Sequence, residues 1–351
     1  MRSLLLRTIV GSAILSLPAT AQTVLFSDGF ENGSANWSAT GLWHLVDTAD
    51  TCGAQVAPFP EGTHCAYYGV PGACNFDTGV TNSGALTLLT PIALPAVGPA
   101  VSLHCWTRHQ AEGCNYNGWD NFDVEVSADG GASWTFIGRR CDQFLEAPDV
   151  WEPRGMDLSS YLGLSILVRF RFDSVDALWN QLRGVLVDAV EVRLEAGHSF
   201  CTSTCMCGGP FNNTLIGYGN VSGCTNSQSR QGELSGGGSP SVANDTVVLT
   251  ASRLVTPSVV LFLQSTGAGT GVFSGDGRFC LTGSSIRLGV RPALGGAVSL
   301  PGQDELPISV LGAIPAAGAT RYYQVVYRDP AAWCTSATLN YTDGFQIAWT
   351  P

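Results

Sequence analysis

Apolar and polar residues alternate over several short stretches of the chain. Phe122-Asp123-Val124-Glu125-Val126-Ser127 puts its apolar side chains on one face and its acids on the other. That period of two is the mark of a half-buried strand. Residues 166–172 alternate toward their end and bring Arg169 and Arg171 to one face; residues 185–194 form a third such run. Asp129-Gly130-Gly131, between two of these runs, predicts a hairpin turn. Further on, residues 246–250, 258–263, 286–290 and 322–327 have strand composition. Pro and Gly punctuate the chain about every 8–12 residues, as in sandwiches and barrels. No amphipathic helix longer than a few turns and no solenoid-type repeat is visible. The pattern predicts an all-β chain.

Composition divides that chain in two. A length of 351 residues suggests about two domains. Residues 22–195 hold 21 acidic residues against 8 Arg, a net of −13, with seven of the nine Trp. Residues 196–351 hold 7 acids and 7 Arg and are rich in Gly and Ser, as in Leu234-Ser235-Gly236-Gly237-Gly238-Ser239-Pro240. The expected domains are therefore 22–195 and 196–351. All 17 basic residues are Arg, which excludes any mechanism that needs a lysine. The net charge of −11 argues against nucleic acid as a partner, because phosphate binding needs a basic face.

Residues 1–21 read as a secretory signal peptide. Arg2 and Arg7 are the positive start, residues 9–17 the apolar stretch, and Ala19-Thr20-Ala21 the cleavage site. The apolar run is shorter than the ~20 residues a transmembrane segment needs, and no run of spanning length follows. The expected location is secreted, extracellular or at the cell surface. Export makes disulfides the default state of the twelve Cys, which fall six and six on the two sides of the seam. Sequence leaves the connectivity open; Cys65–Cys74, Cys114–Cys141 and Cys280–Cys334 are the pairs we expect.

The first half resembles MAM-like jelly-roll modules of secreted bacterial proteins. The likeness rests on Asp28-Gly29-Phe30-Glu31-Asn32-Gly33, Trp37, Gly41-Leu42-Trp43-His44, residues 84–91 (GALTLLTP), residues 122–134 (FDVEVSADGGASW), Asp157-Leu158-Ser159 and residues 184–190 (GVLVDAV), in that order over about 165 residues. The Cys-rich stretch 52–74 departs from the pattern. The resemblance implies an N-terminal jelly-roll β-sandwich. The second half, with Gly275-Asp276-Gly277-Arg278-Phe279-Cys280 and its ending Phe345-Gln346-Ile347-Ala348-Trp349, resembles poorly characterised C-terminal β domains of exported bacterial proteins. A smaller, disulfide-bonded β-sandwich is expected there.

The MAM-like resemblance also implies a structural Ca²⁺ where acids of the first strand meet an acid of the last. Carried onto this chain, the ligands are Asp28, Glu31 and Asp188, with Asp47 and Asp50 as additions by proximity. Hard cations take such oxygen ligands, and the −13 half has charge to neutralise. Sugar binding is the other expectation. Tyr116, Trp119 and Asp120 sit in one polar loop, and Trp179 and Asn180 in another, where a ring can stack on a sugar while polar groups read its hydroxyls. Trp43, Trp106 and Trp134 read as packing residues. The same loops would serve protein-facing adhesion.

Other chemistries find little support. His104 and His109 lie five apart and face opposite sides of a strand, so they do not make a metal pair. H-E-x-x-H and G-x-S-x-G are absent. Cys201, Cys205 and Cys207 lack ordinary zinc spacing. Asp120/Asp123 and Glu146/Asp149 are carboxylate pairs whose facing across a cleft sequence does not show. Six N-x-S/T matches begin at Asn32, Asn36, Asn212, Asn220, Asn244 and Asn340. The expectation is a secreted, non-catalytic binding or adhesion protein whose partner is an extracellular glycan or a cell-surface protein. An attachment module without its own ligand comes second, and a secreted glycoside hydrolase third.

Overall fold

The structure is a computed structural model that describes residues 23–96, 100–112, 119–140, 149, 151–201, 205, 223–228, 230–331, 333 and 335–351. Residues 1–21, the expected signal segment, lie outside them. The first half contains β1 (Val24–Asp28), β2 (Trp37–Ala39), β3 (Trp43–Asp47), a one-turn helix α1 (Thr51–Ala54), β4 (His64–Tyr68), β5 (Ser83–Leu88), β6 (Ile92–Ala93), β7 (Ala100–Gln110), β8 (Asn121–Ser127), β9 (Thr135–Arg140), β10 (Trp151–Asp157), β11 (Ser165–Asp173) and β12 (Gly184–Glu195). They form a jelly-roll sandwich. One sheet runs β10-β7-β12-β4-β3, with β1 paired to β12; the other runs β2-β5-β11-β8-β9, with β6 paired to β11.

The alternating pattern decides which side chains enter this sandwich. On β11, Val168, Phe170 and Phe172 are buried while Arg169 and Arg171 lie outside. Register sets Arg169 opposite Glu125, and Arg171 opposite Asp123, which faces Arg139 on β9. These outward charges therefore pair across strands: Arg169–Glu125 at 2.6 Å and Arg139–Asp123 at 2.5 Å. Inside, Trp37 meets Phe170 at 5.8 Å and Tyr68 meets Phe172 at 4.6 Å between ring centroids. Full burial of one such ring contributes about 1.5–3 kcal/mol.

Strand β12 carries one irregularity that matters for the acids. Val185 and Val187 point into the core, and so do Val190 and Val192, which have the opposite parity. A bulge between Asp188 and Glu191 shifts the phase, with Ala189 at φ +46°. Outside this sheet a satellite cluster of Val46, Cys52, Val56, Phe59, Cys65, Tyr67 and Leu186 is covered by the stretch around α1. The Cys52–Cys74 disulfide fastens that stretch.

The second half contains β13 (His198–Phe200), β14 (Glu233–Gly237), β15 (Val248–Ser252), β16 (Ser258–Ser274), β17 (Gly277–Ala293), β18 (Val298–Leu300), a one-turn helix α2 (Ile308–Leu311), β19 (Ala319–Arg328) and β20 (Leu339–Trp349). A five-stranded sheet, β13-β20-β19-β16-β17, packs on a three-stranded one, β14-β15-β18. Leu234, Leu249 and Leu300 of the small sheet meet Val260, Phe262, Val325 and Ile347 of the large one in a core of their own. Strands β16 and β17 are each 17 residues long, far beyond residues 258–263 and 286–290. Their outer halves are exposed and Gly-rich, so hydrophobic pattern alone did not mark them.

Several expectations are corrected. Cys74 pairs with Cys52, not with Cys65, which is buried and free, as is Cys105. Cys280 pairs with Cys201, not with Cys334, and Cys205 pairs with Cys224. Cys65 and Cys74 border the same satellite cluster, but it is Cys52 of α1 that meets Cys74 there, at 5.0 Å between Cα atoms. Cys114–Cys141 lies outside the described residues. Trp106 is not a packing residue, whereas Trp134 packs against the main core as expected. Trp106 projects from the outer face of β7, and Trp134 lies under the Arg169 guanidinium, 4.1 Å from it.

Candidate functional site

Three stretches gather at one end of the sandwich: residues 69–82 between β4 and β5, 111–112 with 119–120 between β7 and β8, and 174–183 between β11 and β12. Hydrogen bonds tie the first to the third. The Ser174 amide donates to the Asn82 carbonyl at 2.9 Å, and the Asn82 amide donates to Ser174 Oγ at 2.9 Å. The Phe76 amide donates to the Asn180 carbonyl at 3.2 Å, and Gln181 Nε2 donates to Asp77 Oδ2 at 2.6 Å. Asn180 is fully buried; its Nδ2 donates to the Asp176 carbonyl and closes the loop on itself.

This framework holds Trp179 out in water. Its ring is 55% exposed and its backbone is in the left-handed region at φ +57°. Both conditions are unfavourable for a large aromatic residue. Leu178, Val175 and Val80 are also exposed at this end. Trp119, half-buried, belongs to the neighbouring loop. Tyr116 lies outside the described residues.

Asp120 lies below this rim. It is buried, and its Oδ2 accepts the Glu112 amide at 2.8 Å. Burial first, and then the charges of Glu112, Asp176 and Asp173, push its carboxyl up to about 8. So Asp120 holds the loop from beneath and does not offer a carboxylate to solvent. Asn180 has the same supporting role. Of the sugar-binding candidates that lie among the described residues, Trp179 is exposed, Trp119 is half-buried, and Asp120 and Asn180 are buried.

The three acids assigned to calcium part company. Asp28 accepts from the Phe30 amide, Asn36 Nδ2 and Trp37 Nε1 at 2.8–2.9 Å, which makes it the organiser of the turn after β1. Glu31 accepts from the Thr63 and His64 amides at 2.7 Å. Asp188, buried at the β12 bulge, accepts from the Glu61 amide at 3.0 Å. Glu31 and Asp188 thus grip the same 61–64 segment from two sides. Gly29 and Gly62 leave the room that the Glu61 and Glu31 carboxyls occupy; a Cβ at Gly29 would lie 2.7 Å from Glu61 Cδ. Among the described residues no three His, Cys, Asp or Glu side chains form a metal-binding group.

Other sequence candidates are spent structurally. Both Asp123 oxygens accept from Arg139, at 2.5 and 2.9 Å, on the outer face, away from buried Asp120. Asp149 is shared by Arg108 and Arg183, at 2.7 and 2.9 Å; its sequence partner Glu146 lies outside the described residues. Cys201 and Cys205 are in disulfides, so they do not form a zinc knuckle with Cys207, which lies outside the described residues. His104 and His109 fall on opposite faces of β7, half-buried and buried. Asn340 is fully buried and donates to the Thr225 carbonyl, so it cannot carry a glycan in the folded protein.

No protein-family model and no curated protein matches the chain. Solved structures similar to it include TmCBM61 in complex with β-1,4-galactotriose, at 16% identity over 48% of this chain and 94% of that one, with a TM-score of 0.31. A carbohydrate-binding module of Cellvibrio mixtus lichenase 5A in complex with cellotriose shares 12% identity over 48% of this chain and 97% of that one (TM-score 0.26). The CBM22-1–CBM22-2 tandem domain of Paenibacillus barcinonensis Xyn10C shares 14% identity over 96% of this chain and 93% of that one (TM-score 0.30).

Proposed function

We propose that this chain is an exported, non-catalytic glycan-binding protein whose MAM-like sandwich presents sugar-stacking rings at one loop end. The observation that carries the reading is Trp179: a large apolar ring, 55% exposed, on a strained backbone that buried Asn180 and the Gln181–Asp77 hydrogen bond hold in place. Such pre-organisation stabilises an empty binding surface ahead of its ligand. Trp119 supplies a second ring, and Asp77, Asp176 and Gln181 supply groups for hydroxyls. The described disulfides agree with an oxidising compartment. Among the described residues no helix is long and apolar enough to cross a membrane. A glycan array on the full mature chain is expected to give hits that Trp179→Ala weakens by at least about tenfold, the usual cost of truncating an aromatic anchor. Trp119→Ala should weaken them less. A blank array would overturn glycan binding in favour of protein-facing adhesion.

Calcium at the β1–β12 junction is also our proposal, now on Glu31 and Asp188, because Asp28 is committed to Asn36 and Trp37. A divalent ion there would offset the crowding of Glu31, Glu61 and Asp188. Millimolar Ca²⁺ is expected to raise Tm relative to EDTA, and equal Tm in both would end the idea.

A further inference from the structure

A concavity lies where the two halves meet. The halves are joined directly: β12 ends at Glu195, and the next residue, Ala196, donates its amide to the Gly236 carbonyl at 2.7 Å. Beside this joint opens a groove of about 760 Å³. That is within the ~300–1,000 Å³ typical of small-ligand sites. Its floor is the outer face of β7 and β12, and its other wall comes from β14, the end of β15 and the turn between β17 and β18.

The chemistry of the lining differs from the rest of the molecule. The chain carries −11 overall, yet the groove collects Arg154, Arg193, Arg230 and Arg253 against Glu191 and Glu233. Arg193 is neutralised by Glu191 at 3.0 Å and Glu195 at 2.8 Å. Arg230 is in no ion pair with any described residue; it stands beside Gly296, whose missing Cβ would lie 3.7 Å from its Nη1. Two aromatic rings share the groove. Trp106 is 37% exposed, and Trp151 stands at the start of β10. An exposed aromatic face suits the C–H surface of a sugar ring. A carboxylate on that sugar needs a planar, always-charged donor, which is what arginine supplies.

We propose that this inter-domain groove binds a carboxylated oligosaccharide, a chain of uronic acid residues, with Trp106 under the sugar and Arg230 at its carboxylate. It would be a site separate from the Trp179 loop end, and it gives the joint a purpose that neither half has alone.

The test uses the full mature chain, with titration calorimetry against tetramers of galacturonate and of mannuronate, each compared with its methyl ester. The ester keeps the sugar and removes the charge. At least one acid tetramer is expected to bind and its ester to bind about tenfold more weakly or not at all. Arg230→Gln should weaken the acid about tenfold, the cost of one charge-assisted pair. Gly295→Phe should also block binding: Gly295 lines the groove, and a Cβ there meets no atom within 4 Å, so the fold tolerates the larger residue. Trp179→Ala should leave uronate binding unchanged, which separates this site from the loop end. The proposal is overturned by equal affinity for acid and ester, by full affinity in Arg230→Gln or Gly295→Phe, by loss of uronate binding in Trp179→Ala, or by no binding of either acid.

Discussion

The two sandwiches are built from the same kind of element and held together differently. In the first, rings from Trp37, Trp43, Tyr68, Phe76, Phe122, Phe170 and Phe172 fill the space between the sheets, and the charges pair on the outer faces. In the second, buried glutamines hydrogen-bond through the interior. Gln324 is fully buried; its Nε2 donates to the Arg278 and Thr342 carbonyls at 2.8 Å, and its Oε1 accepts the Cys280 amide at 2.9 Å. Gln264, likewise buried, donates to the Gly312 carbonyl at 2.7 Å. A Gly- and Ser-rich chain has less apolar area to bury, so hydrogen bonds and cross-links carry more of the load. The aromatic half can spare loops for display, whereas the polar half cannot lose its links cheaply.

Removing disulfides should show the largest difference. Cys201–Cys280 spans a separation of 79 residues and Cys52–Cys74 one of 22. The chain-entropy account gives about 4–5 kcal/mol for the first and about 3–4 kcal/mol for the second. Cys201→Ala/Cys280→Ala should therefore lower the denaturation midpoint more than Cys52→Ala/Cys74→Ala, in urea unfolding of the mature chain. A greater loss from the shorter loop would break the contrast and make the cover over Val56 and Phe59 the more important cross-linked region.

How much of this was legible depends on which physical signal each feature left. The all-β class, the Asp129-Gly130-Gly131 hairpin and the outward pair Arg169/Arg171 could be read because alternation and turn chemistry are local. The β12 bulge was readable in principle: the apolar doublet Ala189-Val190 interrupts an alternating run. Trp106 was misassigned although its phase gave the answer, since Val101, Leu103 and Cys105 take the inward positions of β7 and leave Trp106 outside with His104. The disulfide partners could not be read, because 15 pairings fit six cysteines and only the fold selects among them. Nor could the groove, which assembles residues up to about two hundred positions apart from both sandwiches.

The smallest and most discriminating effects come from two buried acids, one in each half. Asp343, fully enclosed, accepts the Leu234 amide at 2.8 Å, and burial raises its carboxyl well above the ordinary range. Asp120 is raised to about 8 by burial and by neighbouring acids. Each binds a proton when folded that it gives up when unfolded near pH 3.8. Stability from such a group is fully present below the unfolded value and falls as pH rises toward the folded one. Replacement by Asn keeps the acceptor and removes the titration. Asp343→Asn should give the larger gain, persisting to the highest pH tested. Asp120→Asn should stabilise at pH 8 by on the order of 1–2 kcal/mol, a Tm rise of about 2–4 °C, with little change at pH 4. Melting curves at the two pH values decide it. Asp120→Asn keeps an acceptor for the Glu112 amide, so the proposed glycan affinity at pH 6 should survive the substitution. Equal gains at pH 4 and pH 8 would show that Asp120 is already ionised in the folded protein, and that the acidic loop end tolerates charge as readily as the outer faces of its own sheets.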